Sequence, residues 1–428
     1  MTRWQRARGL FPFTAGGLLV LVLCLLGVLV YGLGEIDLVL LVIGIVGLSL
    51  CGVGLLAVTS TALLVWLEVR AAKDCDPLEL ECGCPGRTGF SLSSLWFVPF
   101  VTLRWAWITP QVAVSQVRPW GRLVEQVTPL RRGEYGEILR RYEVGDAFGL
   151  VRIAFSVRER RALRFLPGTG KLRQIYVVHG MAGGDQFSDP EGPPMGDPLD
   201  LRRYVAGDPI RYVLWKVFAR SRALVVRAPE RALAPARQTV AYLVAGPGDE
   251  AAAGAARLAV DHGALGDDWV LGADGSSETA RTRSQALDLI VRSAKVDVAG
   301  SGAGLMEFLR GGARGTVRRA IVFVPSVPGP WLARVTAAAR ARPDASSPLQ
   351  FVVCADGVRP DPRRHLLARL LFRAPADEEV AYVPARGSEV GVVLRALGKS
   401  GGHVMLVDRR AGRVFSEAQL RRLEVAST

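Results

Sequence analysis

The sequence predicts a multi-domain protein: a two-helix transmembrane hairpin, a β-rich domain of sandwich type, and an α/β domain with a Rossmann-like parallel sheet. Three observations lead there. Two uncharged apolar runs lie close to the N-terminus, short alternating runs follow, and the C-terminal half alternates apolar strands with helical segments. A chain of 428 residues accommodates two or three such units. With 50% hydrophobic and 22% charged residues, it is neither a disordered tail protein nor a small disulfide-stapled domain. The boundaries read as 1–67 for the hairpin, 68–180 for the β-rich domain, 181–236 for a linker and signature segment, and 237–428 for the α/β domain.

The hairpin follows from hydropathy. No charge occurs over 9–34 or over 38–67, and each run exceeds the roughly 20 residues that cross a bilayer as a helix. A cleaved signal peptide has an apolar stretch of only about 7–15 residues and is not followed at once by a second span. A pair of soluble core helices is the other competing reading. Only Glu35, Ile36 and Asp37 separate the runs, so the turn is tight. Arg3, Arg6 and Arg8 precede the first run, Arg70 and Lys73 follow the second, and the turn carries only acids. Positive residues stay inside, so both termini and the soluble domains are expected on the cytoplasmic side; the expected location is a bacterial inner membrane. Trp4, Tyr31 and Trp66 sit near the ends, where amphipathic rings favour the headgroup layer. With no charge inside either span, an ion pathway is not expected. Gly44, Gly47, Cys51 and Gly54 give the second span small residues for close helix packing.

The net charge of +14 points to nucleic acid or to an anionic membrane surface. Only five of the 54 basic residues are lysine, an arginine bias that reads first as a GC-rich genome. The chain has no long basic run and no aromatic stacking motif of the nucleic-acid-binding kind. Attraction to anionic lipid beside the hairpin accounts for the basicity without nucleic acid.

In the β-rich region, 95–101, 111–117 and 151–157 alternate like strands between Gly, Pro and polar clusters. Arg132-Gly133-Glu134-Tyr135 reads as a polar turn, and Val144-Gly145-Asp146-Ala147-Phe148-Gly149-Leu150 as a second turn with Gly149 able to take positive φ. A linker rich in Gly, Pro and Asp spans 181–200. Beyond it, strands are expected at 239–245, 269–271, 320–325, 349–355 and 380–383, with helices at 249–260, 278–294, 330–342 and 363–372. This rhythm implies a parallel sheet whose ligands bind at the carboxyl ends of the strands.

Between linker and α/β region, Gly207 opens a turn, Asp208 is placed to N-cap a short helix, and Pro209 suits its first position. Arg211 lies three residues on from the cap, Ile210, Trp215 and Ala219 would share a face, and Leu224-Val225-Val226 reads as a strand. On this reading alone, the arginines ride on the surface of a capped helix. The run Gly207-Asp208, Arg211, Trp215-Lys216, Ala219-Arg220 and Leu224-Val225-Val226-Arg227 also resembles the signature of domain-of-unknown-function family fifty-eight. The two upstream turns are similar to that family's pattern, and the N-terminal spans fit it. The resemblance covers nearly the whole chain. It implies a membrane-anchored protein with a β-rich insert and a von Willebrand factor type A-like domain, working with a MoxR-type AAA+ ATPase. Gly207, Asp208, Arg211, Trp215, Lys216, Ala219 and Arg220 are its motif residues, expected to hold the junction between domains or to touch the partner.

The chain departs from that pattern at several places. Ala147 replaces a usual proline, Leu214 and Phe218 stand where polar residues are common, and Ala228-Pro229 replaces an acidic-aromatic pair. A metal-binding von Willebrand site needs an Asp-x-Ser-x-Ser loop, because a hard divalent cation takes oxygen ligands. Leu243-Val244-Ala245-Gly246-Pro247-Gly248-Asp249 supplies neither serine, and Val324-Pro325-Ser326 lacks an aspartate, so no metal is expected.

Sharper chemical readings fail. Phe165 and Leu172 occupy the places where a P-loop around Gly170-Lys171 needs glycine and a hydroxyl. Cys75, Cys82 and Cys84 lack zinc-pair spacing, and His179, His262, His365 and His403 are scattered. Neither a flanking motif around Cys354 nor a Gly-x-Ser-x-Gly elbow marks a nucleophile. The expectation is a non-catalytic, cofactor-free scaffold or adaptor; an envelope hydrolase with an unrecognised site and a basic nucleic-acid-binding membrane protein are the alternatives.

Overall fold

The computed structural model describes residues 11–32, 34, 37–71, 76–94, 98, 100–119, 121–173, 200–203, 213–228, 238–311, 319–341, 349–359 and 384–415. These fall into two compact units, the first ending at Gly168 and the second beginning at Thr169.

The first unit starts with the helical hairpin. Helix α1 (Ala15–Leu26) is capped by the Thr14 hydroxyl on the Gly17 amide and continues through a π-helical turn to Gly32. Helix α2 (Leu38–Ala71) is capped by the Asp37 carboxylate, which accepts from the Val39 and Leu40 amides. Both are long and apolar enough to cross a membrane. Gly44 and Gly47 of the second helix form the seam: a Cβ on Gly44 would lie 2.5 Å from Val28, and one on Gly47 would lie 2.3 Å from the Cys24 sulfur, whereas Gly54 faces Val151.

Helix α2 spans 34 residues, about 51 Å at 1.5 Å per residue, well beyond a hydrocarbon core of about 30 Å. Its second half has another task. Val58, Ala62 and Val65 are buried against Val144, Val151, Tyr142, Phe90 and Trp105 of the β-rich region. The expected boundary at 67/68 therefore falls inside a continuous helix that belongs to both parts.

The β-rich region holds β1 (Leu78–Glu81), β2 (Gly86–Ser93), β3 (Val101–Thr109), β4 (Val112–Val117), β5 (Arg122–Pro129), β6 (Gly133–Asp146) and β7 (Arg152–Leu166). One sheet has the order β1-β7-β6-β3 and the other β2-β5-β4. They share apolar clusters built from Trp107, Val127, Ile138, Leu163 and Phe165, and from Phe90, Leu92, Trp105 and Tyr142. Arg132–Tyr135 is not a turn: β6 runs from Gly133, with its irregularity between Tyr135 and Glu137. The second expected turn is present, with Gly149 at φ +72° and the Asp146 carboxylate accepting from the Phe148 and Val151 amides. The run expected at 95–101 enters a strand only at Val101, where β3 begins; Leu95, Trp96, Phe97 and Pro99 lie outside the described residues.

The second unit opens with Gly170–Arg173, a short 3-10 turn that buries Leu172 in the α/β core. Strand β8 (Asp200–Arg203), helix α3 (Trp215–Ser221) and antiparallel β9 (Val225–Ala228) follow. The α/β part comprises β10 (Thr239–Leu243), α4 (Glu250–Asp261), β11 (Trp269–Ala273), α5 (Arg283–Arg292), α6 (Leu305–Gly311), β12 (Arg319–Pro325), α7 (Pro330–Arg340) and β13 (Leu349–Ala355). It then adds the short parallel pair β14 (Val358–Arg359) and β15 (Ala385–Arg386), helix α8 (Gly387–Gly398), β16 (His403–Asp408) and β17 (Arg413–Phe415). The main sheet has the order β11-β10-β12-β13-β16-β17, parallel except for β17, with an antiparallel bridge from Leu271 to Ala280 on its outer edge.

Helices cover both faces. Alanines of α4 and Leu289 and Ile290 of α5 pack on one side with Leu243, Phe323 and Val352. Leu305, Trp331, Val335, Val390 and Leu397 from α6, α7 and α8 pack on the other with Tyr242, Val322 and Phe351. Near-continuous apolar strands follow from burial on both faces. The segments expected at 363–372 and 380–383 lie outside the described residues. Helix α8 and strands β16 and β17 were not anticipated.

Candidate functional site

Four of the seven motif residues lie on α3. Trp215, Lys216, Ala219 and Arg220 are all exposed there, while Gly207, Asp208 and Arg211 lie outside the described residues. The expected helix start at Pro209 does not carry through to α3. Leu214 has non-helical backbone (φ −81°, ψ 84°), its amide bonds to the Val225 carbonyl at 2.9 Å, and the helix begins at Trp215. Arg222 closes it in the left-handed region, its amide donating to the Phe218 carbonyl. Ile210, Trp215 and Ala219 were expected to share a face; Ile210 lies outside the described residues. Trp215 is 57% exposed and packs edge-on against Phe218, with ring centroids 6.2 Å apart. Val217, Phe218 and Leu224 are also exposed, so this short helix presents an aromatic surface flanked by Lys216 and Arg220. Tryptophan and arginine are the side chains that most often anchor protein interfaces.

The carboxyl ends of the parallel strands, where a ligand of such a sheet is expected, carry several acids that the fold itself uses. Asp274, at the end of β11, accepts from the Tyr242 hydroxyl at 2.8 Å, the Ala245 amide at 2.9 Å and the Gly302 amide at 2.6 Å. Burial pushes its carboxyl above the ordinary range, opposed by those bonds and by one from the Gly304 amide. Glycine is required here: a Cβ on Gly304 would lie 2.4 Å from the Tyr242 oxygen. Asp249 accepts from the Gly246 amide at 3.1 Å. Asp356, after β13, forms a two-pronged pair with Arg409 at 2.5 and 2.6 Å, and Arg409 also donates to the Glu250 carbonyl. Burial raises the Asp356 carboxyl, and the adjacent guanidinium pulls it back. Asp408, at the end of β16, accepts from the Gly357, Arg410 and Ala411 amides. These carboxylates brace the loops at the strand ends.

The other chemistry-bearing residues do not converge. Cys82 and Cys354 are buried and Cys84 is exposed, and burial pushes the Cys354 thiol well up. Cys75, His179 and His365 lie outside the described residues. Among the described residues, no group of three or more His, Cys, Asp and Glu side chains is placed to hold a metal ion.

Sequence reasoning missed a polar cluster inside the β-rich region. Glu125 is fully buried and accepts from Trp105 Nε1 at 2.8 Å, Trp107 Nε1 at 2.9 Å and the Thr88 hydroxyl at 2.7 Å. Arg140, 2% exposed, donates to it through Nε and Nη2, pairs with Glu159, and lies over the Phe90 ring. The only signal was an acid and an arginine in strands with two tryptophans two residues apart.

No family model, no curated protein and no solved structure matches the chain.

Proposed function

We propose that the chain is a membrane-anchored, non-catalytic scaffold or adaptor of domain-of-unknown-function family fifty-eight, working with a MoxR-type AAA+ ATPase in assembly or envelope processes. Its α/β unit is read as the von Willebrand factor type A-like domain, a reading supported by the doubly wound sheet. The two facing sheets of the first unit support the sandwich-type insert. The positively charged flanks of the hairpin support a cytoplasmic location for both termini at a bacterial inner membrane.

The observation that carries the proposal is the exposure of Trp215, Lys216, Ala219 and Arg220 on one short helix. A motif that served only to fill a core would bury its tryptophan, so exposure favours partner contact over a purely structural role. The acids at the strand ends, each engaged in holding a loop, also favour an interaction platform over a hydrolase.

Crosslinking pull-down of the full chain from detergent, with and without ATP, tests the proposal. Recovery of a MoxR-type ATPase in a nucleotide-dependent manner is expected, and W215A and R220A should abolish it without changing the melting temperature. Undiminished recovery by both variants would remove the helix from the account.

A further inference from the structure

We propose that a cleft beside the start of α1 holds the phosphate of an anionic phospholipid from the membrane that the hairpin crosses. The inference rests on that membrane reading and adds a defined headgroup site to it. The cleft, about 500 Å³, lies on the outer face of the four-stranded sheet and is lined by Thr14, Thr102, Arg104, Glu143, Gly145 and Arg152 among others. Register places the arginines together. Thr102 faces Gly145 across β3 and β6, Arg104 faces Glu143, and Gly145 faces Arg152 across β6 and β7. Arg104 and Arg152 thus straddle β6 on one face, their strands about 10 Å apart. Both are exposed, and neither side chain has a partner among the described residues.

The acids of the cleft are already engaged. Glu143 pairs with Arg141 at 3.1 Å, and the Asp146 carboxylate accepts two amides of its own turn. Two unpaired guanidinium forks are therefore left, and these match phosphate oxygens.

The position selects a lipid over a soluble anion. Thr14 both lines the cleft and caps α1, and its hydroxyl donates to the Gly149 carbonyl at 2.6 Å. The Thr14 amide bonds to the Leu150 carbonyl, and the Arg152 amide to the Pro12 carbonyl, so the chain entering the first span is tied to the cleft wall. On the neighbouring loops Phe100 and Phe148 are 68% and 57% exposed, with ring centroids 5.8 Å apart. Phe100 holds a positive φ of 63°, and its carbonyl accepts from the Ala147 amide. An exposed aromatic pair at the mouth of an apolar span suits the headgroup and acyl boundary. Two exposed guanidinium groups beside the start of the span suit an anionic headgroup.

Native mass spectrometry of the full chain in detergent, equilibrated with phosphatidylglycerol, phosphatidylcholine or glycerol 3-phosphate, tests the proposal. Preferential retention of phosphatidylglycerol is expected, weakened about thirtyfold by R104Q/R152Q and unchanged by the charge-matched R87Q/R122Q. Equal weakening by both pairs, no weakening by R104Q/R152Q, or equally tight glycerol 3-phosphate would overturn it. Flotation with phosphatidylcholine liposomes reports the hairpin separately: a chain that floats but shows no lipid preference loses the headgroup site and keeps its anchor.

Discussion

Glu125 and Asp274 show how single buried acids organise the two units. Glu125 gathers five donors from Thr88, Trp105, Trp107 and Arg140 in a site without solvent. Replacing it by glutamine leaves the Arg140 charge without its main partner, and breaking a buried pair in this way costs about 3–5 kcal/mol. E125Q should therefore lower the urea midpoint of the detergent-solubilised chain markedly, whereas exposed W215A should change stability by no more than about 0.5 kcal/mol. Asp274 carries a pH signature. Its folded-state carboxyl is raised by burial, so its contribution to stability is fully present below the unfolded value of about 3.9 and declines as pH rises through the folded value. Denaturation series across that window should show the slope, and D274N should remove it. Neither role was legible in the sequence: Glu125 lies in a strand that reads as partly solvent-facing, and Asp274 in a loop after a strand, until register and loop packing bury them.

At the scale of elements, the hairpin was the most legible part, because two uncharged runs separated by three residues have few alternatives in water. Its seam was legible too, in Gly44 and Gly47, which sit where any Cβ would strike Val28 or Cys24. G47V should destabilise the helix pair by about 1–3 kcal/mol through overpacking, read as a lower melting temperature. What sequence did not reveal was the second use of α2. Val58, Ala62 and Val65 are as apolar as lipid-facing residues, and only tertiary packing distinguishes them. A related contact occurs at Gly17, whose Cβ would lie 1.9 Å from the Leu150 carbonyl oxygen. G17L should detach the chain entering α1 from the Asp146–Leu150 turn, accelerating amide exchange at Thr14 and Arg152 while the α/β core stays protected. Strands β10 to β13 were read to within two residues because burial on both faces makes them uniformly apolar, whereas β16 and β17 were missed. The helix that carries Trp215 starts only there because Leu214 has non-helical backbone, which no residue type in the run announces; Pro209 lies outside the described residues.

At the scale of the whole molecule, we propose an anchored platform that presents the Trp215–Ser221 helix to an AAA+ ATPase. Basic charge, the apolar hairpin and the exposed Trp215–Phe218 pair all fit that proposal. The claim has a direct physical test at one position. A photoreactive phenylalanine analogue placed at Trp215 in the full-length protein, illuminated in native membranes with and without ATP, reports what lies against this surface. A nucleotide-dependent crosslink to a MoxR-type ATPase is expected. Crosslinks confined to this chain itself or to lipid, with the ATPase present, would contradict it.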